Sequence, residues 1–152
     1  MAKHLREVYF GGNWTWSNLR DQLRDVTWEQ SVKKVDGFNT IATLTYHIHY
    51  FARAITTVLE GKPLDSNDKF SFDHPQIRSQ KDWDDFRNSI WSEAETLAQL
   101  IEKLAEEKLG EDFYDKKYGI YYRNIHGMIE HSHYHLGQIA LMKKLVKNVA
   151  PY

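Results

Sequence analysis

The chemistry open to this sequence runs through histidine. The chain holds eight, and four of them lie between positions 126 and 135. His131 and His135 are four residues apart, a spacing that stacks two side chains on one face of a helix with Cβ atoms about 5–6 Å apart. Two imidazoles so placed can share one metal ion, as in helical zinc sites. The same face carries Met128, Ile139 and Met142, so both rings are expected to point inward. His133 lies about 200° around the helix from His131 and does not join them. His47 offers a third imidazole from upstream, on the apolar side that also holds Leu44, Phe51 and Ile55. His49 shares a side with Thr45, Arg53 and Thr56 and is expected to point outward.

Three imidazoles on one ion leave a fourth position open for water or substrate, the catalytic rather than the structural arrangement. Imidazole suits Zn, Ni, Cu and Fe(II). The competing account is three ordinary core histidines. Each would then need its own hydrogen-bond partner in mid-helix, where backbone groups are already used. The spacing favours a His47–His131–His135 metal site.

Four segments are expected to position these residues. Segment one runs from about Ala2 to Asp25, interrupted at Gly11-Gly12. After the glycines, Trp16, Leu19, Leu23 and Val26 form a helical stripe, with Thr15 or Asn13 as a possible cap. Segment two runs from about Asn39, a plausible N-cap, to Glu60, with Gly61 as its stop. Gly61 to Gln80 has no periodicity. A connection of that length is uncommon in a compact domain unless it crosses the fold or carries function. If it crosses from end to end, the helices on either side of it are parallel; it could also act as a lid. Segment three runs from about Lys81 to Leu104, with Ser79 and Asp82 resembling a capping box. An acidic stretch to about Gly119 reads as loop. Segment four runs from about Tyr121 to Asn148. Pro63, Pro75 and Pro151 fall in the crossover and at the end, leaving the segments free to be helical. The expected fold is all-α, a four-helix bundle forming a single domain over residues 1–152.

Composition narrows the function. The 152 residues include 20 Lys plus Arg and 21 Asp plus Glu, a net charge of -1, which gives no general field for nucleic acid. There is no cysteine, so disulfides, thiol nucleophiles and Cys-containing zinc sites are excluded. The start lacks an apolar signal core, no stretch of about 18 apolar residues occurs, and a cytoplasmic protein without membrane spans is expected. The five tryptophans, Trp14, Trp16, Trp28, Trp83 and Trp91, read as core rather than as ligand-stacking residues. Lys143, Lys144 and Lys147 read as a solvated helix end. No Gly-rich phosphate loop is present, and Ser132 has no further support as a nucleophile.

The run Asn39-Thr-Ile-Ala-Thr-Leu-Thr-Tyr-His47-Ile-His-Tyr-Phe, with His131-x-x-x-His135-x-Gly137-Gln138-Ile139 far downstream, resembles the DinB-like (YfiT-like) metalloenzyme family. Gly12-Asn13-Trp14-Thr15 and Leu59-Glu60-Gly61 extend the likeness over nearly the whole chain. The resemblance implies an up-down-down-up bundle whose parallel crossover is the Gly61–Gln80 connection. It implies metal ligands at His47, His131 and His135. Some relatives have Glu at the position of His131, so the site here would be neutral. It also implies a homodimer, and, among members of known activity, thiol S-transfer or isomerisation with low-molecular-weight thiols.

The expectation is therefore a divalent-metal-dependent enzyme acting on a small molecule, either a thiol S-transferase or a hydrolase. Zn or Ni is the expected ion, with Fe or Mn as alternatives. Catalytic side chains are not assigned: Tyr46, Glu130 and Gln138 lie near the site, and Tyr46 and Glu130 are read as solvent-facing. The alternatives are a non-catalytic metal-binding or stress-response homodimer and a structural helical dimer with core histidines. A cavity opening onto the ligands would separate the first reading from these. Tyr134, Leu141 and Leu145, set away from the His131–His135 face, call for a second interface.

Overall fold

The computed structural model describes residues 1–148, and every regular element in it is helical. The helices are α1 Ala2–Phe10, α2 Leu19–Leu23, α3 Trp28–Val32, α4 Ile41–Leu59, α5 Gln80–Glu102 and α6 Tyr121–Asn148. Short 3-10 turns occupy Asp68–Phe70, Glu106–Gly110 and Lys116–Tyr118. Pro151 lies outside the described residues. No helix among the described residues is long and apolar enough to cross a membrane.

The three long helices fall where the periodicity placed them. The first segment does not remain one element. Gly11 and Gly12 take φ of 108° and 100°, a region open to glycine, and stop α1. Asn13 then spends its side-chain amide on the carbonyls of Glu7 (3.0 Å) and Ser17 (2.7 Å), folding the chain back over the helix end. Trp16 sits at a positive φ of 54° outside any helix. Asn18, rather than Asn13 or Thr15, caps α2 by accepting from the Asp21 amide at 2.9 Å. Trp14 and Trp16 are consequently both 95% exposed, which corrects the reading of all five tryptophans as core. Trp83 alone is fully buried, its indole N–H donating to the Val26 carbonyl at 2.8 Å. α3 was not legible from hydrophobic period; a Thr27–Gln30 capping box starts it.

Thr40 rather than Asn39 caps α4. Ser79 caps α5 as expected, accepting from the Asp82 amide at 3.1 Å, but the Asp82 carboxylate reaches back to the Arg78 amide at 2.9 Å, one residue before the cap.

Cross-helix contacts give the relative directions. Between α4 and α5, Tyr46 stacks on Phe86, and His49 and Arg53 meet Glu93, so the contacts advance together along both helices. Between α4 and α6 they run oppositely: His47 meets His135 and His131, and Phe51 meets His131. Between α1 and α5 they also run oppositely, with Arg6 on Glu95 and Glu102 and Phe10 on Trp91. Lys143 and Lys147 are not simply solvated: both bind Asp25 at 2.5 Å, tying the end of α6 to the segment after α2. Hydrogen bonds from Lys143 and then Lys147 hold the Asp25 carboxyl far below its usual range.

Candidate metal centre

α4 contributes His47 and α6 contributes His131 and His135. The buried faces of these helices face each other because Ile41, Leu44, Ile48 and Ile55 on α4, and Ile125, Met128, Ile129, Ile139 and Met142 on α6, all need cover. The histidines ride on those faces. His47 and His135 are buried, His131 is half-buried, and candidate ligand atoms of the three lie within 4.8 Å of one another. The Nε2 atoms of His131 and His47 are 3.1 Å apart, and those of His135 and His131 are 3.0 Å apart.

Two of the three nitrogen separations match those expected around one divalent ion. Metal–nitrogen bonds of about 2.0–2.1 Å with near-tetrahedral angles would place ligand nitrogens roughly 3.3 Å apart. A hydrogen on one Nε2 satisfies a single neighbour, whereas one cation satisfies all three. The other ring nitrogens of His47 and His135 are already committed. The Ser71 carbonyl can only accept, so His47 donates to it through Nδ1–H at 3.3 Å and keeps its Nε2 lone pair. His135 likewise donates from Nδ1 to the Gln138 side-chain oxygen at 2.7 Å. Such outer partners fix the tautomer and the ring orientation that metal-binding histidines need. His131 Nδ1 is buried with no partner among the described residues.

Burial also favours the uncharged form of His131 and His47. Desolvation, reinforced by the neighbouring His135 and His47, pushes the His131 pKa down to about 4. His47 is lowered chiefly by burial and by His135, with the Ser71 carbonyl and Asp68 acting in the opposite direction. Neutral imidazole is the metal-binding form.

The long crossover is part of the centre. Tyr50 Oη accepts from the Asn67 amide at 2.7 Å and donates to the Asn67 carbonyl at 2.9 Å, pinning the loop to α4. Four residues on, the chain delivers Ser71, and Phe72 stacks on the His47 ring with centroids 4.1 Å apart. Phe51 covers the His47 and His131 edges.

His49 corrects the outward assignment. It is 2% exposed, and its Nε2 lies 2.8 Å from Glu93 Oε2 on α5. α4 packs on α5 as well as α6, so the two sides bearing His47 and His49 are both covered. Burial holds His49 neutral, while the Arg53 guanidinium helps keep Glu93 ionised. His133 stays apart from the centre, as expected, with its Nε2 3.3 Å from His4 Nε2. Ser132 is buried and donates to the Met128 carbonyl at 2.8 Å, a helical back-bond that leaves it no role as nucleophile. Glu130 is exposed beside His126, and Tyr46 is half-buried against Phe86.

A cleft of about 490 Å³ opens against His131, with Phe51, Ile55 and Met128 among its lining residues. Phe113, Lys117 and Tyr118 from the stretch read as loop line it, with Arg123 and Asn124 from the start of α6 and Leu64, Ser66 and Asp68 from the crossover. Asp68 is the carboxylate among its lining residues. Asp68 carried no signal in the sequence, because its place depends on how the crossover folds over α4.

A family model described as the DinB superfamily matches residues 13–139. No curated protein and no solved structure matches the chain.

Proposed function

Because this chain belongs to the DinB superfamily, we propose that it is a divalent-metal-dependent enzyme built as one four-helix bundle domain with up-down-down-up topology. Contacts that advance together along α4 and α5 and oppositely elsewhere support that topology, with residues 60–79 as the parallel crossover. His47, His131 and His135 are the proposed ligands, and Zn or Ni the proposed ion, with Fe or Mn as alternatives.

One observation carries the enzymatic reading over simple metal storage: the cleft of about 490 Å³ reaches His131, so a small molecule has access to the centre. That volume lies in the range of small-molecule sites. When bound, the ion supplies Lewis acidity and makes a coordinated water or thiol easier to ionise. The chain does the rest. Ser71 and Gln138 hold two of the rings in register. Phe72 and Phe51 shield His47 from water. Asp68 is the carboxylate that lines the cleft among the described residues. With no cysteine in the chain, sulfur chemistry requires an added small thiol. The reaction is then transfer of that thiol to an electrophile, or hydrolysis where water is the nucleophile.

The test is a screen of electrophiles and esters with and without low-molecular-weight thiols, on metal-loaded and chelator-stripped protein. A metal-dependent rate that needs the thiol supports S-transfer; one that does not need it supports hydrolysis. No metal-dependent turnover in either arm leaves a non-catalytic metal binder. The same reading includes a homodimer, supported by Tyr134 and Leu141, which are 66% and 50% exposed on α6.

A further inference from the structure

We infer that the cleft selects a small molecule with an apolar body and an anionic head, a carboxylate or phosphate, which Arg123 binds at the end of the cleft wall. The inference rests on the metal-centre reading above and names the substrate class for it.

The chain has seven arginines. Arg6, Arg24, Arg53 and Arg87 bind carboxylates, Arg78 binds the Gln76 side chain, and Arg20 lies 4.3 Å over the Phe10 ring. Among the described residues, Arg123 is the arginine whose guanidinium has no such partner, and it lines the cleft that opens on His131. The residue is exposed, and its stem runs past Gly119. A Cβ on Gly119 would stand 3.3 Å from Arg123 Cδ and 3.5 Å from its Nη1, so the stem lies along a backbone position that has no side chain. Gly119 also takes φ of 75°, where a side chain is strained. Lys117, lining the same cleft, holds its ammonium 4.9 Å from the Tyr118 ring centre and adds a second cation that has no carboxylate partner among the described residues.

The remaining surface of the cleft is largely apolar, lined by Phe51, Ile55, Leu64, Phe113 and Met128, and along α6 Met128 lies between Arg123 and His131. Its one carboxylate, Asp68, exerts its field on His47, toward the metal centre. A ligand lying along the cleft would therefore meet Arg123 and Lys117 away from the ion and apolar wall between. A guanidinium fork matches carboxylate and phosphate oxygens in pairs, which a lone ammonium does not.

The experiment uses three matched probes, 4-phenylbutyrate, phenethylphosphonate and the neutral 4-phenylbutanamide. Binding is measured by calorimetry at low salt on the full chain, stripped with chelator so that no probe can be held by the ion. At least one anion should bind roughly tenfold more tightly than the amide, the better one identifying the head group, and added salt should erode the difference. Arg123→Gln should remove most of that preference, and Lys117→Gln a smaller part, with melting temperatures unchanged. Equal binding of anions and amide, binding of none, or an undiminished preference in Arg123→Gln would overturn the inference. Metal stoichiometry is measured on the same preparations after reloading. A chain that prefers the anion but takes up no metal overturns the metal reading alone, and one that takes up metal without the preference overturns this inference alone.

Discussion

His131 Nε2 lies 3.1 Å from His47 Nε2, although 84 positions of chain separate them. The helix spacing that pairs His131 with His135 is local. The closure onto His47 is made by two helices burying apolar faces against each other, and it sets the terms of the first prediction.

His131→Ala and His135→Ala are expected to abolish metal binding, read as stoichiometry by native mass spectrometry. His133→Ala should keep full stoichiometry, since His133 turns toward His4. His49→Ala should keep it too, but should lower stability by about 1–3 kcal/mol, because Glu93 loses a partner at a packed interface. Near-normal metal content in either of the first two variants would refute the ligand assignment.

Gln138 touches no proposed reacting atom and acts by orienting His135. Gln138→Ala should weaken metal affinity about 10–100-fold, as loss of an outer partner does elsewhere. Gln138→Glu, which keeps the acceptor, should restore most of it. Competition against a chromophoric chelator reads both. An affinity unchanged in Gln138→Ala would show that the hydrogen bond does not position the ring.

Acid should destabilise the metal-free protein in a defined window. The His131 pKa is about 4 in the folded chain, against an ordinary value of 6.5. Between those values the unfolded chain binds the extra proton and the folded one does not, so stability falls as pH falls from 6.5 towards 4. Discounted for a half-exposed ring, the His131 contribution is of the order of 1–2 kcal/mol. Urea unfolding of stripped wild type and His131→Ala at pH 7 and pH 4.5 measures it. An equal pH dependence in both proteins would count against the depressed pKa.

The dimer proposal predicts a mass of twice the chain by light scattering at micromolar concentration. Leu141→Lys, which places a charge on the exposed side of α6, should shift the protein to monomer without loss of metal binding. Leu145 is a poorer probe, being partly buried against the core. A monomeric wild type at that concentration would end the proposal.

The sequence by itself determined the three long helices, the inward sense of His47, His131 and His135, and the separation of His133 from them. These follow from helical period, which is local and needs no knowledge of partners. Only the tertiary structure decided the fate of His49. Period says that it lies opposite His47, but not that a second helix covers that side and offers Glu93. The same limit hid the loss of Trp16 from its helix, because Asn13 and Asn18 spend their amides on turn and cap contacts that compete with the apolar stripe. It also hid the contribution of the crossover. Ser71, Phe72 and Asp68 have no periodic signature. They come to the histidines because Tyr50 pins Asn67, and a contact between a helix and an aperiodic loop is fixed by packing rather than by spacing.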